Sequence, residues 1–376
     1  MIPAKRLAGI ELSLIRQINA LATPLSTNLG IGEPNLEPDE RLREMAARAA
    51  RAPWQYSPNA GTLALRRLIC EGTPFDPKSD ACVTAGTQEA LFAIFTAFVN
   101  PGDEVLIPNP GFVSYATLAT MCGAVVKSYK LDPPDWELEA NAVIAAFTSR
   151  TKLVIINSPS NPLGAVAKEE ALRRIAGEAA ERDILVVSDE VYREIWYDAP
   201  PATMAGMSAN VIALNGLSKS HGATGLRLGW ALASAELIKP LVTAHQYIAT
   251  CASVFSQALA EEILGAPAWN AEWLESARAQ FRRQREAALY AIEHEIGVPM
   301  TPPAGAFYAF APVPSCATLD FAKALATEAA VLVIPGAAFG SRGEGFIRIS
   351  FAATVEQIGT GIERIGRWLT TREGGL

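Results

Sequence analysis

Histidine is scarce in this chain. There are three in 376 residues, His221, His245 and His294, and none stands at a spacing that would gather a metal ion. Cysteine is nearly as rare: Cys70, Cys82, Cys122, Cys251 and Cys316. An odd number with no C-x-x-C pair argues against a disulfide framework, and reads as small core residues in a reducing compartment. A basic excess is missing too. Lysine and arginine total 32 against 39 acidic residues, a net charge of −7, which disfavours a nucleic-acid partner. No run of like charge forms a tail. The apolar runs reach about ten residues, half of what a membrane helix needs. Lys5, Arg6, Glu11 and Arg16 are followed by no clean apolar signal region. A cytoplasmic protein that enters no membrane is expected. There is no internal repeat, no low-complexity segment, no Walker motif and no Ser-His-Asp order. "GTGIERIG" near the C-terminus mimics a glycine-rich loop but lacks a preceding strand, and reads as a helix face.

What is present is a large supply of core. Half of the residues are hydrophobic and 19% are charged, which excludes disorder. The length suits two domains. The middle of the chain alternates strand and helix signals. "ACVTAG", "DEVLIP", "AVVKSYKL", "TKLVIINSP", "ILVVSDEVY", "NVIALNG" and "LRLGWALAS" read as strands. "TQEALFAIFTAFV", "FVSYATLATMC" and "KEEALRRIAGEAAERD" read as helices. Apolar β-branched runs alternating with helices predict an α/β fold, with a largely parallel sheet covered on both faces. From about Ala271 the rhythm changes. One long amphipathic helix, "EWLESARAQFRRQREAALYAIEHE", precedes the short strands "AGAFYAFAP", "VLVIPG" and "GFIRISFA" and a closing helix. This predicts a smaller α+β unit. The division read from the chain is a large domain over 46–280, a small C-terminal domain over 281–376, and an N-terminal segment, 1–45, packing with the small domain.

In parallel sheets ligands bind beyond the carboxyl ends of the strands, and that is where the polar residues fall. "TAGTQEA" turns from a strand into a helix at Gly86, Thr87 and Gln88. "NSPSNPLG" carries Asn157 and Asn161, and "SDEVY" carries Asp189 and Tyr192. "NGLSKSHGATGLRLGW", from Asn215 to Trp230, sets two cations, Lys219 and Arg227, among small residues. Each has a bland reading as turn chemistry or solvated charge. Together they describe a phosphate cup. The helix N-terminus, the planar fork of Arg227 and the Ser218 hydroxyl favour an anion. Lys219 beside the cup is a candidate Schiff-base amine. Asp189 could hold a protonated ring nitrogen, and Asn161 and Tyr192 a phenolic oxygen. Pyridoxal 5′-phosphate (PLP) needs this set of partners.

The chain resembles the fold-type I PLP-dependent enzymes of the class I/II aminotransferase family over nearly its whole length. "LGIGEPN", "YSPNAGTLALR", "TAGTQEALF", "NPGFVSY", "NSPSNPLG", "SDEVYREIWYD", "GLSKSHGATGLRLGW", "PPAGAFYAF", "VIPGAAFG" and "IRISFA" carry the likeness in family order. The resemblance implies a mostly parallel seven-stranded sheet between helices in the large domain. It implies that Lys219 carries the cofactor and acts as general acid–base, and that Ser218, Arg227 and Gly86–Thr87–Gln88 hold its phosphate. Asp189 faces its ring nitrogen, Asn161 and Tyr192 its phenolic oxygen, and Phe112 stacks on the ring. Tyr56 reaches the phosphate of the other subunit of a homodimer. Arg348 binds the substrate α-carboxylate, helped by the backbone at Gly32 and by Asn161. The implied reaction moves an amino group from an L-amino acid to a 2-oxo acid. Other PLP reactions (β-elimination, decarboxylation, cyclisation) share every cofactor residue. An effector-binding domain of a transcription regulator would need a DNA-binding domain ahead of the matched region. Three positions depart from the family. Leu163 replaces a usual threonine and is expected to alter packing near Asn161. Gly111 stands where a bulkier residue is common, predicting more space above the ring. Phe112 lacks the polar atom often found there. Together these weigh against a standard dicarboxylate substrate.

Overall fold

The computed structural model describes residues 4–314 and 317–373; Cys316 lies outside the described residues. The strands are β1 (Thr27–Asn28), β2 (Ala81–Thr84), β3 (Glu104–Asn109), β4 (Val125–Lys130), β5 (Thr151–Asn157), β6 (Leu185–Asp189), β7 (Val211–Gly216), β8 (Gly229–Leu232), β9 (Tyr308–Pro312), β10 (Val331–Leu332), β11 (Ile334–Pro335) and β12 (Phe346–Ser350).

Seven of them form one sheet in the order β2-β8-β7-β6-β5-β3-β4. All neighbours are parallel except β8, which runs antiparallel to both β2 and β7. The alternation of side chains along a strand sorts the apolar runs onto two faces. Val105, Ile107, Leu153, Ile155, Leu185 and Val187 join one core, while Leu106, Val154, Ile156 and Val186 join the other. Helices Thr87–Phe98, Val113–Met121 and Ala235–Ala249 supply residues to the first core, and helix Glu169–Glu181 to the second. Burial on both faces explains why these strands read as continuous apolar runs. The fold class is therefore as expected, and the elements named from the sequence in this region are all present.

The C-terminal part holds a three-stranded sheet, β11-β12-β9, and a separate parallel pair, β1-β10. "VLVIPG" is not one strand. Val331–Leu332 pairs with Thr27–Asn28, and Ile334–Pro335 pairs with Ile347–Arg348, so the chain changes partners at Val333. The long helix begins five residues earlier than its apolar pattern, at Pro267, whose fixed φ and missing N–H suit a first helical position. It ends at Ala291 in a π-turn closed by Gly297 at φ 72°. Helices Ala235–Ala249 and Val254–Leu264, which the sequence did not announce, lie between the two regions. "GTGIERIG" is part of helix Val355–Glu373, as expected. Of the described cysteines, Cys70 and Cys82 are core residues and Cys122 and Cys251 are only half-buried. No helix among the described residues is long and apolar enough to cross a membrane.

Just after β11 the backbone of Gly336 passes Gly343 so closely that a Cβ on Gly336 would stand 1.8 Å from the Gly343 carbonyl oxygen. Both partners are backbone, so neither can swing away. Gly336→Ala is expected to lower stability by at least about 2 kcal/mol through forced overpacking, measured by urea denaturation; a loss below about 0.5 kcal/mol would show that the turn yields freely.

Candidate active site

Five strand ends converge on one crevice. Asp189 closes β6 and Asn157 closes β5, their Cα positions paired in register. Lys219 lies in the short helical turn Leu217–Ser220 that follows β7. Gly86 and Thr87 follow β2, and Phe112 follows β3. These ends, with β12 and the segment after β1, enclose a cavity of about 650 Å³ lined by Thr87, Gln88, Phe112, Asn161, Asp189, Tyr192, Ser218, Lys219, Arg227, Arg348 and Gly32. The structure thus brings together every residue singled out from the sequence except two. Gly86 contributes backbone behind the lining, and Tyr56 lies on the surface, 85% exposed, outside this cavity.

Lys219 Nζ donates a hydrogen bond of 2.7 Å to the carbonyl of Gly32. Burial, joined by the nearby charges of Arg348 and Arg227, lowers its pKa from 10.5 to about 8. Asp189 is 4% exposed. Its carboxylate accepts from the Tyr115 hydroxyl at 2.6 Å and from the Val191 N–H at 3.3 Å. Burial nonetheless pushes its pKa up, against those hydrogen bonds and the charge of Lys219. The Asp189 carbonyl, in turn, accepts from the Asn157 side chain at 2.9 Å, and the Asn157 Oδ1 accepts from the Asn161 N–H at 2.8 Å. Leu163 is buried in the core behind this turn, which stays intact.

Arg348 is 2% exposed. One Nη donates to Asn161 Oδ1 at 2.9 Å, the other to the Gly30 carbonyl at 2.6 Å. The guanidinium carbon lies 4.4 Å from the centre of the Tyr308 ring and 5.0 Å from that of Phe339. Among the described residues no carboxylate forms an ion pair with it. A structural ion pair, the bland reading of a buried arginine, is therefore absent. The guanidinium is thus held by the Gly30 carbonyl, and the Gly32 carbonyl serves Lys219. Gly32 has a different reason to be small, since a Cβ there would stand 2.4 Å from the Tyr308 hydroxyl. That hydroxyl shares a 2.7 Å hydrogen bond with Tyr192.

At the other end of the cavity, helix Thr87–Phe98 starts at Gly86, φ 84°, with no side-chain cap. Its first N–H groups are therefore open. A Cβ at Gly86 would stand 2.8 Å from Arg227 Nη2. Arg227 sits in the left-handed region at φ 50° and donates to the Thr224 carbonyl at 2.9 Å. The glycine turn, the open helix start and the arginine form a cradle for a doubly charged anion. Phe112 meets Tyr115 edge-on at 5.5 Å. Gly111, beside Phe112, has a steric reason to lack a side chain. Its Cβ would stand 2.4 Å from the Pro108 carbonyl, so the glycine serves a close backbone approach.

Sequence reasoning missed Tyr115, Tyr308 and Gly30. Tyr115 falls one helical turn after Phe112, a spacing that places both on one face. Tyr308 lies two residues from Phe310 on β9, the period that selects one face of a strand. Both signals were present, hidden in motifs read only for their glycines and prolines. His221 braces the turn after Lys219. Its Nε2 is 2.8 Å from Asn270 Oδ1, it stacks on Trp273, and burial lowers its pKa to about 4.

Comparison with known proteins agrees with this geometry. The family described as aminotransferase class I and II matches residues 26–365. The chain is 34% identical to aromatic-amino-acid aminotransferase 2 of Thermococcus litoralis, covering 98% of each chain. It is 34% identical to the aspartate aminotransferase of Pyrococcus abyssi, covering 99% of this chain and 100% of that one. Among solved structures, Thermus thermophilus aspartate aminotransferase with maleate superposes with a TM-score of 0.92 at 30% identity over 98% of this chain and 99% of that one.

The lowered pKa of Lys219 has a measurable consequence. Between pH 8 and 10.5 the folded protein holds fewer protons on Lys219 than the unfolded chain does, so this group's contribution to stability rises with pH across that window and is at its least favourable below it. In cofactor-free protein, Lys219→Met should therefore be more stable than the parent at pH 7 by roughly 3 kcal/mol, an advantage that fades as pH approaches 10.5. Urea denaturation at a series of pH values checks this; a pH-independent difference would contradict it.

Proposed function

The chain belongs to the class I and II aminotransferase family, and we propose that it is a PLP-dependent enzyme moving the amino group of an L-amino acid to a 2-oxo acid in this cavity. One observation carries the reading. A half-buried lysine held toward its neutral form and a buried arginine with no carboxylate partner among the described residues face the same cavity, with a desolvated carboxylate between strand ends. The donor set fits the cofactor. The Gly86 turn, Thr87, Gln88, Ser218 and Arg227 would hold its phosphate, Phe112 would lie against its ring, and Asn161 and Tyr192 would meet its phenolic oxygen. When bound, the cofactor supplies an aldehyde carbon that takes up the amino group and a ring that accepts the electron pair left on the substrate's α-carbon.

The chain's own residues do the rest. Asp189 would keep a proton on the ring nitrogen, with Tyr115 and Val191 fixing the orientation of its carboxylate. Lys219 Nζ, released from its tie to Gly32, would hold the cofactor and serve as the general acid–base for the α-proton; a pKa near 8 leaves a usable neutral fraction at neutral pH. Arg348 takes the substrate α-carboxylate through its planar fork, replacing weaker carbonyl contacts with two charged ones. Tyr192, tied to Tyr308, would meet the phenolic oxygen and orient the ring.

We further propose a cytoplasmic homodimer with shared sites, and the division into a large unit, 46–280, and a smaller one from 281–376 with the 1–45 segment. The exposed Trp54 and Tyr56, 88% and 85% accessible, support the dimer: two large aromatics side by side on a surface suit an interface.

Purified protein given PLP, a panel of amino acids and a panel of 2-oxo acids should transfer amino groups. Absence of transfer with every pair, despite bound cofactor, would remove the reading. Arg348→Lys should lower kcat/KM by roughly 2–5 kcal/mol, about 30-fold to several thousand-fold, because an ammonium cannot reproduce the fork. The loss should be much smaller for matched amines without a carboxylate; equal losses would assign Arg348 to the fold alone. For the dimer, mixing inactive Tyr56→Ala and Lys219→Ala chains under subunit exchange should recover activity, since one mixed site carries neither lesion. A monomeric active protein would exclude the arrangement.

A further inference from the structure

Behind the phosphate turn lies a pair, a buried histidine and a half-buried carboxylate, that the mechanism above does not use. Helix Ala235–Ala249 packs along helix Thr87–Phe98 and carries His245, fully buried. His245 Nδ1 lies 3.0 Å from both carboxylate oxygens of Glu89. A carboxylate offers only acceptors, so Nδ1 carries the proton it donates. Among the described residues Nε2 has no hydrogen-bond partner, which leaves Glu89 as the one polar anchor of the ring there. Glu89 occupies the third helical position, and its Oε2 accepts from the Ala85 N–H at 3.1 Å. Ala85 immediately precedes Gly86, the residue that faces Arg227.

A carboxylate in the first turn of a helix is drawn to the free N–H groups at the helix start. Here those groups belong to Thr87 and Gln88, the donors assigned above to the cofactor's phosphate. If Glu89 swung onto them it would occupy the donors and repel the dianion. Its tie to His245 holds it on Ala85 instead. We propose that His245, acting through Glu89, is a positioning residue for phosphate binding: it keeps the carboxylate bonded to Ala85 and off the N–H groups of Thr87 and Gln88. This rests on the PLP reading of the site and adds to it a group on a different helix, outside the cavity.

The distinguishing measurement is the Kd for PLP beside that for pyridoxal, which has no phosphate, on folded protein of matched thermal stability. His245→Leu should weaken PLP by at least about ten-fold, the scale of one charged hydrogen bond lost, and leave pyridoxal within about three-fold. Adding Glu89→Gln to that variant removes the charge while keeping an acceptor for Ala85, and should restore PLP to within about three-fold of the parent. His245→Asn, whose amide nitrogen can replace Nδ1, should bind like the parent. Equal weakening of PLP and pyridoxal, or no rescue by Glu89→Gln, overturns the proposal. Should His245→Leu fail to fold, the single Glu89→Gln and His245→Asn variants decide: each must hold PLP within about three-fold, and a ten-fold loss in either overturns it. A parent chain that shows no saturable PLP binding overturns the cofactor reading itself, and this one with it.

Discussion

The hydrogen bond from Lys219 Nζ to the Gly32 carbonyl, 2.7 Å long, joins the two halves of the site. On one side stands the seven-stranded sheet, which delivers Lys219, Asp189 and the phosphate cradle at its carboxyl edge. On the other stands the segment after β1, tied by backbone pairing to Val331–Leu332. An amine taken out of water needs a partner that does not charge it further. A backbone carbonyl is such a partner: it accepts a proton bond without the full stabilisation an acidic side chain would give the ammonium form. The same solution recurs at Arg348 with Gly30. Both cations are thus met by carbonyls of one short segment, and both remain available to an anionic ligand.

The sheet explains why these groups can be desolvated without loss of order. Parallel strands buried on both faces leave their ends as the one place where polar side chains can gather. Asn157 and Asp189 share a register position on adjacent strands, and the Asn157 amide bridges to the carbonyl of Asp189 and to the backbone of Asn161. Position at the strand ends therefore fixes both the cofactor-facing carboxylate and the turn that presents Asn161 to Arg348.

Much of this was legible in the sequence, for identifiable reasons. β5 and β6 announce themselves as "TKLVIIN" and "ILVVSD" because double-sided burial leaves no polar interruption. Lys219, Arg227 and Gly86 are legible because, although each alone suits a turn or a solvated surface, they fall together at the ends of strands in one sheet. Helices Ala235–Ala249 and Val254–Leu264 were not legible; the first contains Pro240 in its interior, a residue that normally argues for a break. The split of "VLVIPG" between two partners could not be read either, because pairing is a long-range fact that a local apolar run does not encode. Tyr115 and Tyr308 went unnoticed because a buried hydroxyl's partner is set by tertiary placement, and the sequence offers only the aromatic ring.

The Gly30 and Gly32 carbonyls also set when the site can exist. Arg348 reaches Gly30 across 318 positions of chain, and Lys219 reaches Gly32 across 187. Contacts of such separation form late, since loop closure must precede them. During synthesis the glycine segment and the strands of the large sheet are made before β12, so they precede Arg348 out of the ribosome. The site is consequently a timer: its two cations can face each other only once the chain has been made through Arg348, and no nascent chain ending before that residue holds both.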